Sequence, residues 1–212
     1  MKAVIFDWDG VIVDSPRFFH EMYQFISKNN GKHYPYKTAE ELKKNFREPF
    51  YQIYELSGFT WPEDRPKISK YYHEFMNSGK IDFFPDVVSV IKQLHNSGFK
   101  LAIASSGSHP FILKKLAEEG LQDCFEIVVA HDDVKNLKPN PECLFKCMSV
   151  LQTKPSETCY IGDFYTDIIA GKAAGVKTIA VTWGFLTKKE LRTEKPDFIV
   201  DKPEELLNVL KK

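Results

Sequence analysis

Ala3-Val4-Ile5-Phe6-Asp7-Trp8-Asp9-Gly10-Val11 decides how the chain is read. Four apolar residues run directly into two aspartates and a glycine. An apolar run this short, closed by turn-forming residues, predicts a buried strand rather than a helix. Asp7 and Asp9 then stand where that strand ends. They also interrupt the apolar run too early for the core of a signal peptide.

The same construction recurs along the chain. Lys100–Ala104 (KLAIA) ends in Ser105-Ser106-Gly107, and residues 126–130 lead to Leu137-Lys138-Pro139-Asn140-Pro141. Residues 158–161 run into Gly162-Asp163-Phe164-Tyr165-Thr166-Asp167, and residues 178–182 and 198–200 supply a fifth and a sixth strand. Helical patterns at 87–97, 110–119, 141–150, 166–174 and 203–210 alternate with these strands. The alternation predicts an α/β protein with a Rossmann-like, mainly parallel sheet core.

Residues 16–81 break the rhythm. Phe18, Phe19, Met22, Tyr23 and Ile26 follow a helical repeat, similar patterns occupy 40–56 and 65–77, and no strand lies between them. A segment of roughly 65 residues is too long for a plain loop. It reads as an inserted small α-helical domain, leaving 1–15 and 82–212 as the core. The alternative is an elaborated helical crossover within one domain.

The 212 residues suffice for a large core plus a small insertion. Lys plus Arg and Asp plus Glu both total 29, so the formal net charge of zero favours neither a nucleic-acid nor a membrane partner. No stretch approaches the roughly 20 apolar residues of a membrane span. Cys124, Cys143, Cys147 and Cys159 form no secreted disulfide framework or complete zinc set, and read as reduced thiols of a cytoplasmic protein. Oligomeric state leaves no mark in the sequence.

In parallel α/β sheets, ligands gather at the carboxyl ends of the strands, so the four strand-end segments can meet in one crevice. Clustered carboxylates repel unless a hard cation lies among them, and Mg²⁺ prefers oxygen ligands. A lysine and a hydroxyl at the same rim suit an anion. Together these groups are what phosphoryl transfer requires: charge neutralisation, positioning and a nucleophile. Taken singly, each has an ordinary explanation as a turn residue, a helix cap or a solvated lysine.

As a set, Phe6-Asp7-Trp8-Asp9-Gly10-Val11-Ile12-Val13-Asp14-Ser15, Ala104-Ser105-Ser106-Gly107, Lys138-Pro139 and Ile161-Gly162-Asp163-Phe164-Tyr165-Thr166-Asp167 resemble the haloacid dehalogenase superfamily of phosphotransferases. Trp183-Gly184-Phe185-Leu186-Thr187-Lys188-Lys189-Glu190-Leu191 and Pro196-Asp197-Phe198-Ile199-Val200-Asp201 resemble phosphoglycolate phosphatases in particular, and the insertion falls where those proteins carry a helical cap. The resemblance implies a Mg²⁺-dependent phosphatase acting on a small phosphorylated metabolite. Asp7 would be the nucleophile that takes the phosphoryl group, and Asp9 the general acid and then base. Asp7, Asp163 and the Asp9 backbone carbonyl would hold Mg²⁺, with Asp167 a further ligand or a partner of the ligands. Ser105 and Lys138 would bind phosphoryl oxygens, assisted by backbone N–H groups of Trp8 to Gly10 and Ser106. Arg47 falls where related caps reach toward substrate, its alternative being a solvated or ion-paired helix arginine.

Dehalogenases and phosphonatases of the superfamily lack the second aspartate, so Asp9 argues against both. A β-phosphoglucomutase-like sugar phosphomutase is the main alternative. Its hinge His would align with Phe19, whereas this chain has His20, and it carries Glu-Asp where this chain has Gly162-Asp163. A non-enzymatic phospho-acceptor module is more remote, having neither an insertion nor a second aspartate placed for proton transfer.

Overall fold

The computed structural model describes residues 1–46, 50–78 and 80–211. Six strands, β1 (Ala3–Phe6), β2 (Lys100–Ala104), β3 (Ile127–Val129), β4 (Thr158–Gly162), β5 (Lys177–Val181) and β6 (Phe198–Val200), form one sheet in the order β3-β2-β1-β4-β5-β6. Every pairing is parallel, and β1 lies between β2 and β4, with Ile5 level with Ala102 on one side and Tyr160 on the other. The chain thus moves outward from β1 in one direction and then returns to fill the other. That reversal opens a crevice at the carboxyl end of β1.

A parallel sheet must be covered on both faces, and the β1 residues Ala3 to Phe6 are accordingly all buried. Alternation sends Ala3, Ile5, Ala102, Ala104 and Tyr160 to one face. There they pack with Cys143, Leu144, Cys147 and Leu151 of α7 (Glu142–Leu151) and Ala170 and Ala174 of α8 (Tyr165–Ala174). Val4, Phe6, Leu101 and Ile103 point the other way and are equally buried. Among the described residues, the other α-helices of this unit are α5 (Pro85–Asn96), α6 (His109–Glu119), α9 (Lys188–Thr193) and α10 (Glu205–Leu210).

The chain divides into two compact units, residues 1–13 with 83–212, and Asp14–Asp82. The second unit contains α1 (Ser15–Asn29), α2 (Ala39–Asn45), α3 (Gln52–Leu56) and α4 (Arg65–Ser78). Asp14 belongs with the helices because its carboxylate caps α1, accepting from the Arg17 N–H at 3.2 Å. Met22, Tyr23 and Ile26 of α1 pack with Leu42, Ile53, Tyr54 and Ile68. The helical pattern at 40–56 is realised as two helices. Phe46, with φ −69° and ψ 121°, is extended and ends the first of them. Among the described residues, no helix is long and apolar enough to cross a membrane. The four cysteines are free thiols.

Candidate active site

β1 delivers Asp7 to the crevice, where the Asp7 N–H donates to the Ile161 carbonyl at 2.8 Å and extends the β1–β4 ladder by one residue. The chain then turns tightly. The N–H groups of Ile12 and Val13 both donate to the Trp8 carbonyl, and the Gly10 N–H donates to the Val13 carbonyl at 3.0 Å. The Gly10 N–H is therefore occupied within the turn, which removes it from the backbone donors expected for a phosphoryl group. Gly10 has φ +73°, and a Cβ there would lie 2.2 Å from Oδ2 of Asp163. A side chain would be strained and would also strike a site carboxylate.

Asp163 follows β4 and is fully buried. Its Oδ2 accepts the Phe185 N–H at 2.6 Å. That loop approaches closely because residue 184 is glycine: a Cβ would fall 2.1 Å from the same oxygen. The loop is further tied to the β1 turn by Trp183, whose indole N–H donates to the Val11 carbonyl at 3.1 Å. Sequence reading assigns neither to the site: the Phe185 backbone N–H carries no sequence signature, and only the fold shows which carbonyl the Trp183 indole reaches.

Asp167 lies in the first turn of α8. Its Oδ2 accepts the N–H groups of Asp163 (3.2 Å) and Phe164 (3.0 Å), satisfying donors at the helix start. Its Oδ1 faces Lys138 at 2.7 Å and Tyr160 at 3.0 Å. Lys138 arrives on a loop secured by Glu142, whose carboxylate accepts the N–H groups of Lys135 and Asn136, each at 3.0 Å. These bonds hold the Glu142 carboxyl down at about 2.

Lys138 Nζ lies 2.7 Å from Oδ1 of Asp7 and 3.0 Å from the Tyr160 hydroxyl. Carboxylate oxygens of Asp7, Asp163 and Asp167 all lie within 4.8 Å of one another. Burial pushes the Asp7 carboxyl up to about 8, with Lys138 opposing and the neighbouring carboxylates reinforcing the shift. Burial likewise raises Asp163, and Asp167 and Asp7 raise it further. For Lys138, burial opposes the charge, but Asp167 and Asp7 outweigh it and hold the ammonium firmly protonated. Three buried carboxylates against one ammonium leave a deficit of positive charge, and the donor set is entirely oxygen. Such a set fits a hard divalent cation.

Asp9 borders this buried cluster, and its charge adds to the upward shift of the Asp7 carboxyl. It is half-buried and approaches the loop after β2, its Oδ2 being 3.6 Å from where a Cβ on Gly107 would lie. Ser105 is buried, and its Oγ accepts the Gly107 N–H at 2.9 Å, which leaves its hydrogen to donate elsewhere. Ser106 is exposed. Arg47 lies outside the described residues. Asp7, Lys138, Asp163 and Asp167 thus meet at the end of β1, while Asp9 approaches Gly107 in the loop that carries Ser105. Tyr160, read from sequence only as a strand residue, is an additional member of the cluster.

Fold and site together define an α/β enzyme with an acidic, lysine-bridged centre at the reversal point of its sheet. The sequence profile of the haloacid dehalogenase-like hydrolases matches residues 4–181, and the chain belongs to that family. Membership in a hydrolase family sets aside the phospho-acceptor module. Pyrophosphatase PpaX of Halalkalibacterium halodurans is 30% identical over 212 residues, spanning 99% of this chain and 97% of that one. The crystal structure of a protein predicted to be a phosphoglycolate phosphatase, from Haemophilus somnus, superposes with a TM-score of 0.86 at 18% identity, covering 99% of this chain and 97% of the other. A protein of Thermotoga maritima predicted to be a β-phosphoglucomutase superposes with a TM-score of 0.78 at 28% identity, covering 100% and 99%.

Proposed function

We propose that this chain is a cytoplasmic Mg²⁺-dependent phosphatase that hydrolyses a small phosphorylated metabolite through an aspartyl-phosphate on Asp7, residues 16–81 forming a cap that selects the substrate. The observation that carries this reading is the buried Asp7 carboxylate at the end of β1, held by Lys138 and within 4.8 Å of Asp163 and Asp167. An Asp7 oxygen attacks phosphorus while the bond to the leaving oxygen breaks, and the Asp9 carboxyl gives that oxygen its proton. The Asp9 carboxylate then takes a proton from water. The water oxygen attacks phosphorus, the bond to Asp7 breaks, and both aspartates return to their starting states.

Lys138 places positive charge against the transferring group, and the Ser105 hydroxyl donates to one of its oxygens. Mg²⁺, when bound, neutralises the carboxylate cluster and the charge of the phosphoryl group. Asp7, Asp163 and the Asp9 carbonyl would hold it. Both oxygens of Asp167 already accept two hydrogen bonds each, which favours Asp167 as the residue that orients Lys138 and the Asp163 turn.

The PpaX relatives favour pyrophosphate as a substrate to test beside 2-phosphoglycolate. The mutase reading draws support from the 28% identity to the Thermotoga maritima protein. Against it, Phe19 takes the hinge position, and the His20 Nδ1 is engaged 3.2 Å from the Tyr34 hydroxyl. Phosphate release from a panel of phosphorylated metabolites, with Mg²⁺ and with chelator, tests the proposal. Absence of release from every member would overturn it.

A further inference from the structure

Tyr160 is a buried tyrosine on β4, and a buried tyrosine hydroxyl needs partners. Small residues make its course possible. Ala3 of β1 and Ala102 and Ala104 of β2 share its face of the sheet. The ring can therefore pass beneath β1, and its hydroxyl reaches the Ala104 carbonyl at 3.1 Å. The same hydroxyl lies 3.0 Å from Oδ1 of Asp167 and 3.0 Å from Nζ of Lys138.

The hydrogen count is informative. An ammonium has three hydrogens, and Lys138 has three partners: Asp7, Asp167 and Tyr160. Two of these are carboxylates, whose attraction draws the ammonium toward them without fixing a third direction. The Tyr160 oxygen supplies that direction by accepting the third hydrogen. Its own hydrogen is shared between Oδ1 of Asp167 and the carbonyl of Ala104, the residue that immediately precedes Ser105. One hydroxyl thus joins the lysine, the helix-start aspartate and the strand end that carries the serine.

We propose that Tyr160 is a positioning residue that fixes the Lys138 ammonium relative to Asp7 and to the Ser105 loop; its effect on rate rests on the phosphohydrolase reading above. Removing the hydroxyl leaves one Lys138 hydrogen without an acceptor in a buried space and releases the Ala104 carbonyl. The ammonium then samples several orientations, and the charge it offers to the transferring group is less well placed.

The experiment compares full-length wild type with Tyr160→Phe, which keeps the ring and its packing. Displacements of this kind cost about tenfold to a hundredfold in rate. The expected result is a fall of that size in kcat with KM changed by less than about threefold, since the loss falls on the transition state. A second readout needs no turnover. In ¹⁵N-lysine-labelled metal-free protein, the Lys138 ammonium, identified by its loss in Lys138→Arg, gives a slowly exchanging resonance that Tyr160→Phe abolishes. A folded Tyr160→Phe protein with kcat within about threefold of wild type overturns the proposal. An unchanged ammonium resonance overturns it as well, whatever the rates. Failure of the wild type to hydrolyse any phosphate ester would count against the phosphohydrolase reading instead, and the ammonium resonance would still decide the role of Tyr160.

Discussion

Nζ of Lys138 lies 2.7 Å from Oδ1 of Asp7, a residue 131 positions earlier in the chain, and both side chains are only 7% exposed. The pair is formed by two strand-end segments that the sheet order brings together. Its charges do not balance the site, because Asp163 and Asp167 are buried beside it.

That imbalance predicts how stability depends on pH. Burial raises the folded-state Asp7 carboxyl to about 8, against about 3.9 in an unfolded chain. Between these values the folded state binds more protons, so stability falls as pH rises. Chelator-treated protein is expected to lose melting temperature progressively from about pH 4 to about pH 8, the window those two values set. Mg²⁺ should restore more at the upper end than at the lower. A metal-free melting temperature that rises steadily across that window would contradict the charge deficit.

Metal dependence follows from the same cluster. Activity is expected to disappear with excess chelator and return with Mg²⁺. Ca²⁺, which tolerates higher coordination, is expected to compete and inhibit by drawing both Asp7 oxygens onto the metal. Titration of phosphate release against each cation checks this, and full activity in chelator would refute the metal assignment.

Gly184→Ala probes how Asp163 is seated. A Cβ at residue 184 would fall 2.1 Å from Oδ2 and 2.4 Å from Cβ of Asp163, so Asp163 must move. The Mg²⁺ concentration for half-maximal activity is expected to rise about tenfold or more, the usual scale for disturbing the support of a metal ligand. An unchanged metal requirement in the variant would show that Asp163 does not hold the ion.

Offering β-glucose 1-phosphate with a bisphosphate primer separates hydrolysis from mutase transfer. Because this chain has Phe19 where the mutase pattern has a His, Asp9 is expected to activate water promptly. Inorganic phosphate from this or other small phosphate esters, with negligible glucose 6-phosphate, is the predicted result. Efficient isomerisation with little free phosphate would establish the mutase instead.

The sheet was legible because parallel strands buried on both faces read as short apolar runs, and each of the first four ended in residues that have no place in a core. Boundaries moved by a residue, as at β5, where Lys177 joins the strand through its pairing with Cys159. The helix α9 was missed, although Thr187 and Glu190 carry its signal. The Thr187 N–H donates to the Glu190 carboxylate at 2.9 Å, and the Glu190 N–H returns to the Thr187 hydroxyl at 3.4 Å. Asp7, Lys138, Asp163 and Asp167 stood out because charged groups at strand ends are conspicuous. Tyr160 did not, since a tyrosine in an apolar strand satisfies strand propensity, and only the fold shows where its hydroxyl points. The Phe185 N–H and the occupied Gly10 N–H depend on loop geometry that side-chain chemistry does not encode.

The central claim is that phosphoryl transfer passes through Asp7. The most direct measurement is to quench the enzyme with acid during turnover of an active phosphate ester, reduce with borohydride and locate the modified residue by peptide mass spectrometry. The account predicts reduction at Asp7 alone, none in Asp7→Asn, and a fall in kcat for that folded variant of at least about a thousandfold, as for loss of other nucleophiles. Substantial turnover by folded Asp7→Asn, or trapping at another residue, would contradict it.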